Sequence, residues 1–105
     1  MPKFVLDPGV EDELWEIWKF IAKDNPDAAT RVVEAAYETF QSIADTPEIG
    51  RPRQFRNEAL RGIRSWRVSG FRNHLIFYRR IPDGIQVVHV SQGARDFEAL
   101  FGLES

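Results

Sequence analysis

The stretch that most constrains this chain is Leu60 to Asp96, LRGIRSWRVSGFRNHLIFYRRIPDGIQVVHVSQGARD, which reads as three consecutive strands closed by two turns. Ser69-Gly70 suits a two-residue reversal. Ile81-Pro82-Asp83-Gly84 has Pro to preset φ, Asp to bond its own backbone and Gly to take a positive φ. Two hairpins in series make an antiparallel meander. Leu75, Ile76, Phe77 and Tyr78, with Ile85, Val87, Val88 and Val90, put apolar groups on both faces, as strands with neighbours on each side do. A sheet this apolar must be covered, and the residues before it read as its cover.

Those residues spell a short strand and a helical hairpin. Lys3-Phe4-Val5-Leu6 favours a strand, and Asp7-Pro8-Gly9 ends it while offering Asp7 as a helix N-cap with Pro just inside. From Val10, apolar residues recur at Leu14, Ile17, Trp18 and Ile21, one helical face, with Glu11, Asp12 and Glu13 in the first turn where the helix dipole favours anions. That helix runs to about Lys23. Asp24-Asn25-Pro26-Asp27 stops it and starts another, with Asn25 as N-cap and Pro26 at the first helical position. Ala29, Val32, Val33, Ala36, Phe40 and Ile43 form its apolar face, and the small alanines allow close helix approach before Thr46-Pro47 and Gly50 end the run. Gly50 to Glu58 reads as a polar, basic loop. Ala94 to Gly102 reads as a short helix or turn that tucks Phe97, Leu100 and Phe101 back onto the sheet. The expected fold is α+β in the order β-α-α-β-β-β, a helical hairpin packed on a small twisted antiparallel sheet.

At 105 residues this is one domain, 1–105, with a single core. Cysteine is absent, which excludes disulfides and thiolate metal sites. Two histidines without a carboxylate at ligand spacing give too few donors for zinc, so no metal or other cofactor is expected. No apolar run reaches the ~18 residues of a membrane span, and no signal-peptide pattern opens the sequence, so a cytoplasmic location is expected.

Charge is sorted along the chain. Residues 1 to 50 carry 4 basic and 11 acidic groups, a net of −7, and residues 51 to 105 carry 10 basic and 5 acidic groups, a net of +5. Between Arg51 and Arg80 stand nine arginines, one acid, Glu58, and no lysine. Arginine suits bidentate contact with carboxylate or phosphate. Arg64, Arg67, Arg72, Arg79 and Arg80 fall on adjacent strands, where Glu58, Asp83 and Asp96 are too few to pair them, so part of this surface faces water or a ligand. One reading is a cationic face that answers the acidic helical half of the same molecule; the other is a docking surface for a partner. On the first helix, Trp15 and Phe20 lie off the main stripe and are candidates for exposed aromatic surface.

Several words in this order resemble the RelE/ParE superfamily of toxins from bacterial toxin–antitoxin pairs, and the ParE branch in particular. They are DELWEIWKFI at Asp12 to Ile21, Asn25-Pro26-Asp27-Ala28-Ala29 with Arg31, Thr46-Pro47 with Gly50-Arg51-Pro52-Arg53, Leu60-Arg61, Leu75-Ile76-Phe77-Tyr78-Arg79 and Val90-Ser91-Gln92-Gly93-Ala94-Arg95-Asp96. The resemblance implies a compact toxin held inactive in a hetero-oligomer with a cognate ParD-like antitoxin that has an acidic C-terminal segment. Any contact with DNA would come only through that antitoxin. In the ParE branch the target type is DNA gyrase, whereas RelE-like members cut messenger RNA on the ribosome. On this reading Trp15, Trp18, Phe20 and Arg61 meet the antitoxin, and Arg64, Arg67, Arg72, Arg79, Arg80 and Arg95 meet the target. Gln92 stands where ParE-like chains often carry His.

Ribonuclease chemistry makes demands of its own: a base near the 2′-hydroxyl, an acid near the leaving oxygen and cations for the phosphorane. Only His74 and His89, beside Arg79, could supply them. Both histidines fall in predicted strands, His74 on a face with Ile76 and Tyr78, His89 on a face with Ile85 and Val87. A packed, hydrogen-bonded histidine is the plainer reading of each, and a binding inhibitor without bond-breaking chemistry is the reading favoured over the nuclease.

Overall fold

The computed structural model describes residues 2–55 and 58–92. Strand β1 (Lys3–Leu6) leads into helix α1 (Val10–Ala22) and helix α2 (Pro26–Asp45). A 3-10 turn (Pro47–Ile49), the short strand β2 (Arg51–Pro52) and a second 3-10 turn (Glu58–Leu60) then lead to β3 (Arg64–Val68), β4 (Phe71–Ile81) and β5 (Gly84–Gln92). The five strands form one sheet in the order β1-β5-β4-β3-β2. β2 to β5 are antiparallel to their neighbours, as the turns require, whereas β1 joins β5 in parallel, so the sheet is mixed.

The helices cover one face. Val10, Leu14 and Ile17 of α1, with Val32, Ala36, Phe40 and Ile43 of α2, pack against Val68, Ile76, Tyr78, Ile85, Val87 and Val90 of the sheet. Burying an aliphatic or aromatic side chain of this kind is worth roughly 1.5–3 kcal/mol, so this layer is the main term holding the helices to the strands. On the other face Ile63, Phe77 and Val88 form a smaller cluster with Phe55, Leu60 and Leu75. The apolar groups on both faces of β4 and β5 thus each have a layer to enter.

The α2 start is as the sequence predicts: Asn25 Oδ1 accepts the Ala28 N–H at 3.0 Å, with Pro26 opening the helix. The α1 start is not. Gly9 is the N-cap, in a left-handed conformation with φ 99°, and no side chain caps the helix. The Asp7 carboxylate accepts from the Gln86 side chain instead, and its backbone carbonyl accepts from Val10 N at 3.1 Å. Burying β1 beside β5 brings Asp7 against Gln86, and this long-range partner outcompetes the local cap.

Two further expectations are corrected. The loop from Gly50 contains an extra strand, because Arg51 and Pro52 pair with Ser65 and Arg64 at the sheet edge, where a proline lacking an N–H is tolerated. The faces of β5 are also not set by simple alternation. Phe77 lies opposite His89 while Tyr78 lies opposite Val87, so Val88 is an extra residue and the parity shifts there. His89 therefore does not share the face of Ile85 and Val87.

Gly84 shows why β1 can sit where it does. A Cβ there would lie 1.7 Å from the Lys3 carbonyl oxygen, so only glycine lets the two strands approach. The predicted C-terminal helix or turn over 94–102 lies outside the described residues. No helix among the described residues is long and apolar enough to cross a membrane.

Candidate functional site

The arginines do not form one sheet-wide strip. Registry with the neighbouring strands divides them. Arg64 lies opposite Tyr78 and Arg80 opposite Ile85, at the end of the sheet beside the Pro47–Ile49 turn. There Arg80 pairs with Glu48, and Arg64 Nη1 donates to the Gly50 carbonyl at 2.8 Å and the Glu48 carbonyl at 3.3 Å. The same turn is held from inside: the buried Tyr78 hydroxyl donates to the Pro47 carbonyl at 2.7 Å and accepts the Gly50 N–H at 2.8 Å. Burial raises the Tyr78 phenol above its ordinary value, the Gly50 hydrogen bond opposing it, so the group stays neutral.

Arg79 follows Leu75 and Phe77 in alternation along β4. Its Nη2 donates to the Ala59 carbonyl at 2.7 Å, tying the Glu58–Leu60 turn to the sheet. Arg67 lies opposite Leu75, and its guanidinium sits 4.9 Å from the centre of the Trp66 ring. Arg72 is exposed near the β3–β4 turn. Counting acids underestimated the available partners, because Glu48 and three backbone carbonyls, those of Glu48, Gly50 and Ala59, do much of the pairing.

What the structure does bring together is a basic cleft of about 560 Å³ between the 51–55 segment and β3, with Arg53, Arg61 and Arg64 around Phe55 and Ile63. Arg53 Nε donates to Ser65 Oγ at 2.7 Å, which fixes the guanidinium at the edge of β3. Desolvation, with Arg51 adding to it, lowers Arg53 below the ordinary guanidinium value. Arg61 pairs with Glu58 at 2.8 Å on the cleft rim. Sequence reasoning grouped Arg61 with the tryptophans; the fold places it here, with Arg64. Arg53 was legible only as part of a basic loop, because its partner Ser65 is a strand neighbour reached through β2. The cleft thus gathers three guanidinium groups and one carboxylate, Glu58, around an apolar floor, a net positive surface of the kind that attracts carboxylate or phosphate.

The two histidines are separated and differently held. His89 Nδ1 lies 2.7 Å from Glu13 Oε2, and Glu13 Oε1 accepts the Val90 N–H at 2.9 Å. β1 ends at Leu6, opposite Val87, and beyond that point Glu13 from the first turn of α1 takes a backbone donor on the edge of β5. The Glu13 hydrogen bond raises the His89 pKa above 6.5, against the opposing effect of burial. His74 lies opposite Gln92, and both of its ring nitrogens are buried without a hydrogen-bond partner among the described residues. Burial lowers its pKa below 6.5. His74 stands four residues from Tyr78, the partner of Arg64, roughly 13 Å along the strand. No group of three or more His, Cys, Asp or Glu side chains among the described residues could hold a metal ion.

The aromatic surface is present on the opposite side of the molecule. Trp15 is 54% exposed and Phe20 61% exposed. Trp15 stacks on Trp18 at 5.4 Å, and Trp18 Nε1 donates to Thr30 Oγ1 at 3.2 Å, fixing the pair to α2. Arg95 lies outside the described residues.

Solved structures of similar fold include two from toxin–antitoxin systems. The toxin–antitoxin structure described as the chromosomal ParDE TA system from P. aeruginosa aligns with a TM-score of 0.69 at 15% identity, covering 90% of this chain and 98% of that one. The YoeB-YefM complex from Staphylococcus aureus aligns with a TM-score of 0.50 at 16% identity, covering 90% and 99%. No curated protein matches the sequence. The family model for the ParE toxin of the type II toxin–antitoxin system parDE matches residues 4–97, nearly the whole of this α+β chain, and the protein belongs to that family.

Proposed function

We propose that the chain is a cytoplasmic toxin that arrests growth by binding a cellular target, DNA gyrase, and that a cognate ParD-like antitoxin neutralises it. The antitoxin's acidic C-terminal segment lies over the arginine cleft, and the two proteins form a hetero-oligomer. The observation that carries this reading is the cleft itself, with Arg53, Arg61 and Arg64 around Phe55 and Ile63 on a chain of this family. Such a surface grips an anionic segment and accelerates encounter with it. Supporting it further, neither histidine lines the cleft among the described residues, and His89 is engaged by Glu13 on β5.

The test uses purified gyrase in a supercoiling assay beside a translation extract programmed with messenger RNA. Loss of supercoiling with intact message is the expected result. Cut message with normal supercoiling would establish the ribosome-dependent endoribonuclease instead, with His74, His89 and Arg79 as its candidate groups. Within the binding reading, Arg53→Ala together with Arg61→Ala should weaken antitoxin association at least tenfold while the circular dichroism spectrum is kept.

A further inference from the structure

The arginine cleft is larger than a single anionic group needs. Its volume of about 560 Å³ lies within the roughly 300–1,000 Å³ of sites for small molecules. One part of it is charged and another apolar: Arg53, Arg61 and Arg64 supply guanidinium groups, while Pro52, Phe55 and Ile63 supply ring and aliphatic surface. A carboxylate alone engages only the first part. A ligand that carries a phosphate on a flat, mostly apolar body uses both.

Each cation is positioned before any ligand arrives. Arg53 Nε donates to Ser65 Oγ at 2.7 Å, Arg64 Nη1 to the Gly50 carbonyl at 2.8 Å and Arg61 Nη2 to Glu58 Oε1 at 2.8 Å. The first two acceptors are neutral oxygens, so these bonds orient a guanidinium without cancelling its charge. Little ordering is left for a ligand to impose. Three guanidinium groups against the Glu58 carboxylate leave the lining at +2, which balances the charge of about −1.5 to −2 on one phosphate monoester at pH 7. Glu58 has a further use. A carboxylate offers about four lone-pair sites and Arg61 takes one, so the rim also accepts a hydroxyl or amino hydrogen. Gly62, with φ 84°, lines the cleft too, and a Cβ built there meets nothing within 4 Å, so a ligand can approach this stretch of backbone closely.

We propose that the cleft binds a nucleoside monophosphate, with the phosphate among Arg53, Arg61 and Arg64, the base against Phe55 and Ile63, and a sugar hydroxyl donating to Glu58. The antitoxin segment proposed above uses the same guanidinium groups, so nucleotide and antitoxin exclude one another. Nucleotide binding itself needs no antitoxin and is measured on the chain alone.

The test is isothermal titration of the full chain with AMP, GMP, CMP and UMP in turn, and with inorganic phosphate and the matching nucleoside as the two halves of the ligand. The tightest nucleotide is expected to bind on the order of tenfold more tightly than either half, and more weakly as salt rises. Arg53→Gln and Arg61→Gln should each lower its affinity on the order of tenfold, the loss of a charge-assisted hydrogen bond. Arg31→Gln, on the exposed side of α2, makes the same change in net charge and should leave the affinity within about twofold. Arg61 is exposed, so its variant decides the matter should Arg53→Gln fail to fold. No saturable binding of any of these nucleotides, binding no tighter than that of inorganic phosphate, or parent-like affinity in Arg61→Gln would overturn the inference and leave the proposed function standing. A single-stranded RNA of about ten nucleotides that binds on the order of 100-fold more tightly than the best mononucleotide would also overturn it, since the cleft then belongs to a longer nucleic-acid track. If a nucleotide binds as expected while gyrase supercoiling is unaffected by the chain, the nucleotide site stands and the proposed function falls.

Discussion

The two histidines are opposites, and their titration can be read directly. Unfolded, both titrate near 6.5. Folded, His89 holds its proton to higher pH through Glu13, so its contribution to stability is fully present below 6.5 and is lost as pH rises through the folded value. His74 is held neutral by burial. Its contribution is present above 6.5 and is lost as pH falls through its lowered value. Proton NMR should show the two imidazoles titrating on either side of 6.5, and Glu13→Gln should move His89 down while leaving His74 in place. At Gly50 the constraint is steric, since an added Cβ would meet the Tyr78 hydroxyl at 2.3 Å and two ring carbons within 2.8 Å. Gly50→Ala must displace the ring or the turn. Tyr78→Phe instead leaves the Pro47 carbonyl and Gly50 N–H without their partner, at a cost of about 1–3 kcal/mol in urea unfolding. Because both changes strike one contact, the double variant should lose less than the two separate losses combined.

Among the elements, β1 and α1 are the ones whose placement was least legible. The helical hairpin and the meander show in the sequence because their signals are local: Asn25-Pro26, the 3.6-residue apolar stripe, Ser69-Gly70 and Pro82-Asp83-Gly84. β1's parallel partner, the Gly9 cap and the extra residue at Val88 depend on groups 70 or more residues away or on strand registry, which no local pattern encodes. The same limit applies to the site. The exposed aromatics Trp15 and Phe20 could be found by their position off the helical stripe, whereas the joining of Arg53 with Arg64 required β2. A direct check on β1 is Gly84→Ala, whose Cβ cannot fit beside Lys3. We expect loss of hydrogen-exchange protection in β1 and in the outer edge of β5, with β3 and β4 retaining theirs. Glu13→Ala should produce a narrower change, faster exchange at the Val90 amide with β1 still docked, because it removes a single acceptor.

At the scale of the whole molecule, the uneven charge is arranged in space. Among the described residues, eight of the thirteen acids lie on α1 and α2 and most of the arginines on the strands and the loop before them, so the helical layer is acidic and the sheet basic although the net charge of the chain is only −2. Association with the proposed antitoxin should therefore slow as salt rises from about 50 to about 500 mM, since a Debye length of about 10 Å at 0.1 M screens approach but not packed contact. Stopped-flow mixing would measure this. A rate that does not respond to salt would show that the basic cleft takes no part in encounter.

The place of β5 has a consequence for how the protein is made. It lies between β1 and β4, so the first strand emerges from the ribosome with no neighbour until the last described strand is synthesised. A chain shorter than about 90 residues has no seat for its own beginning, and its helices lack much of the surface that anchors them. The sheet of a chain built this way closes only when β5 has been made, so its two ends are joined last.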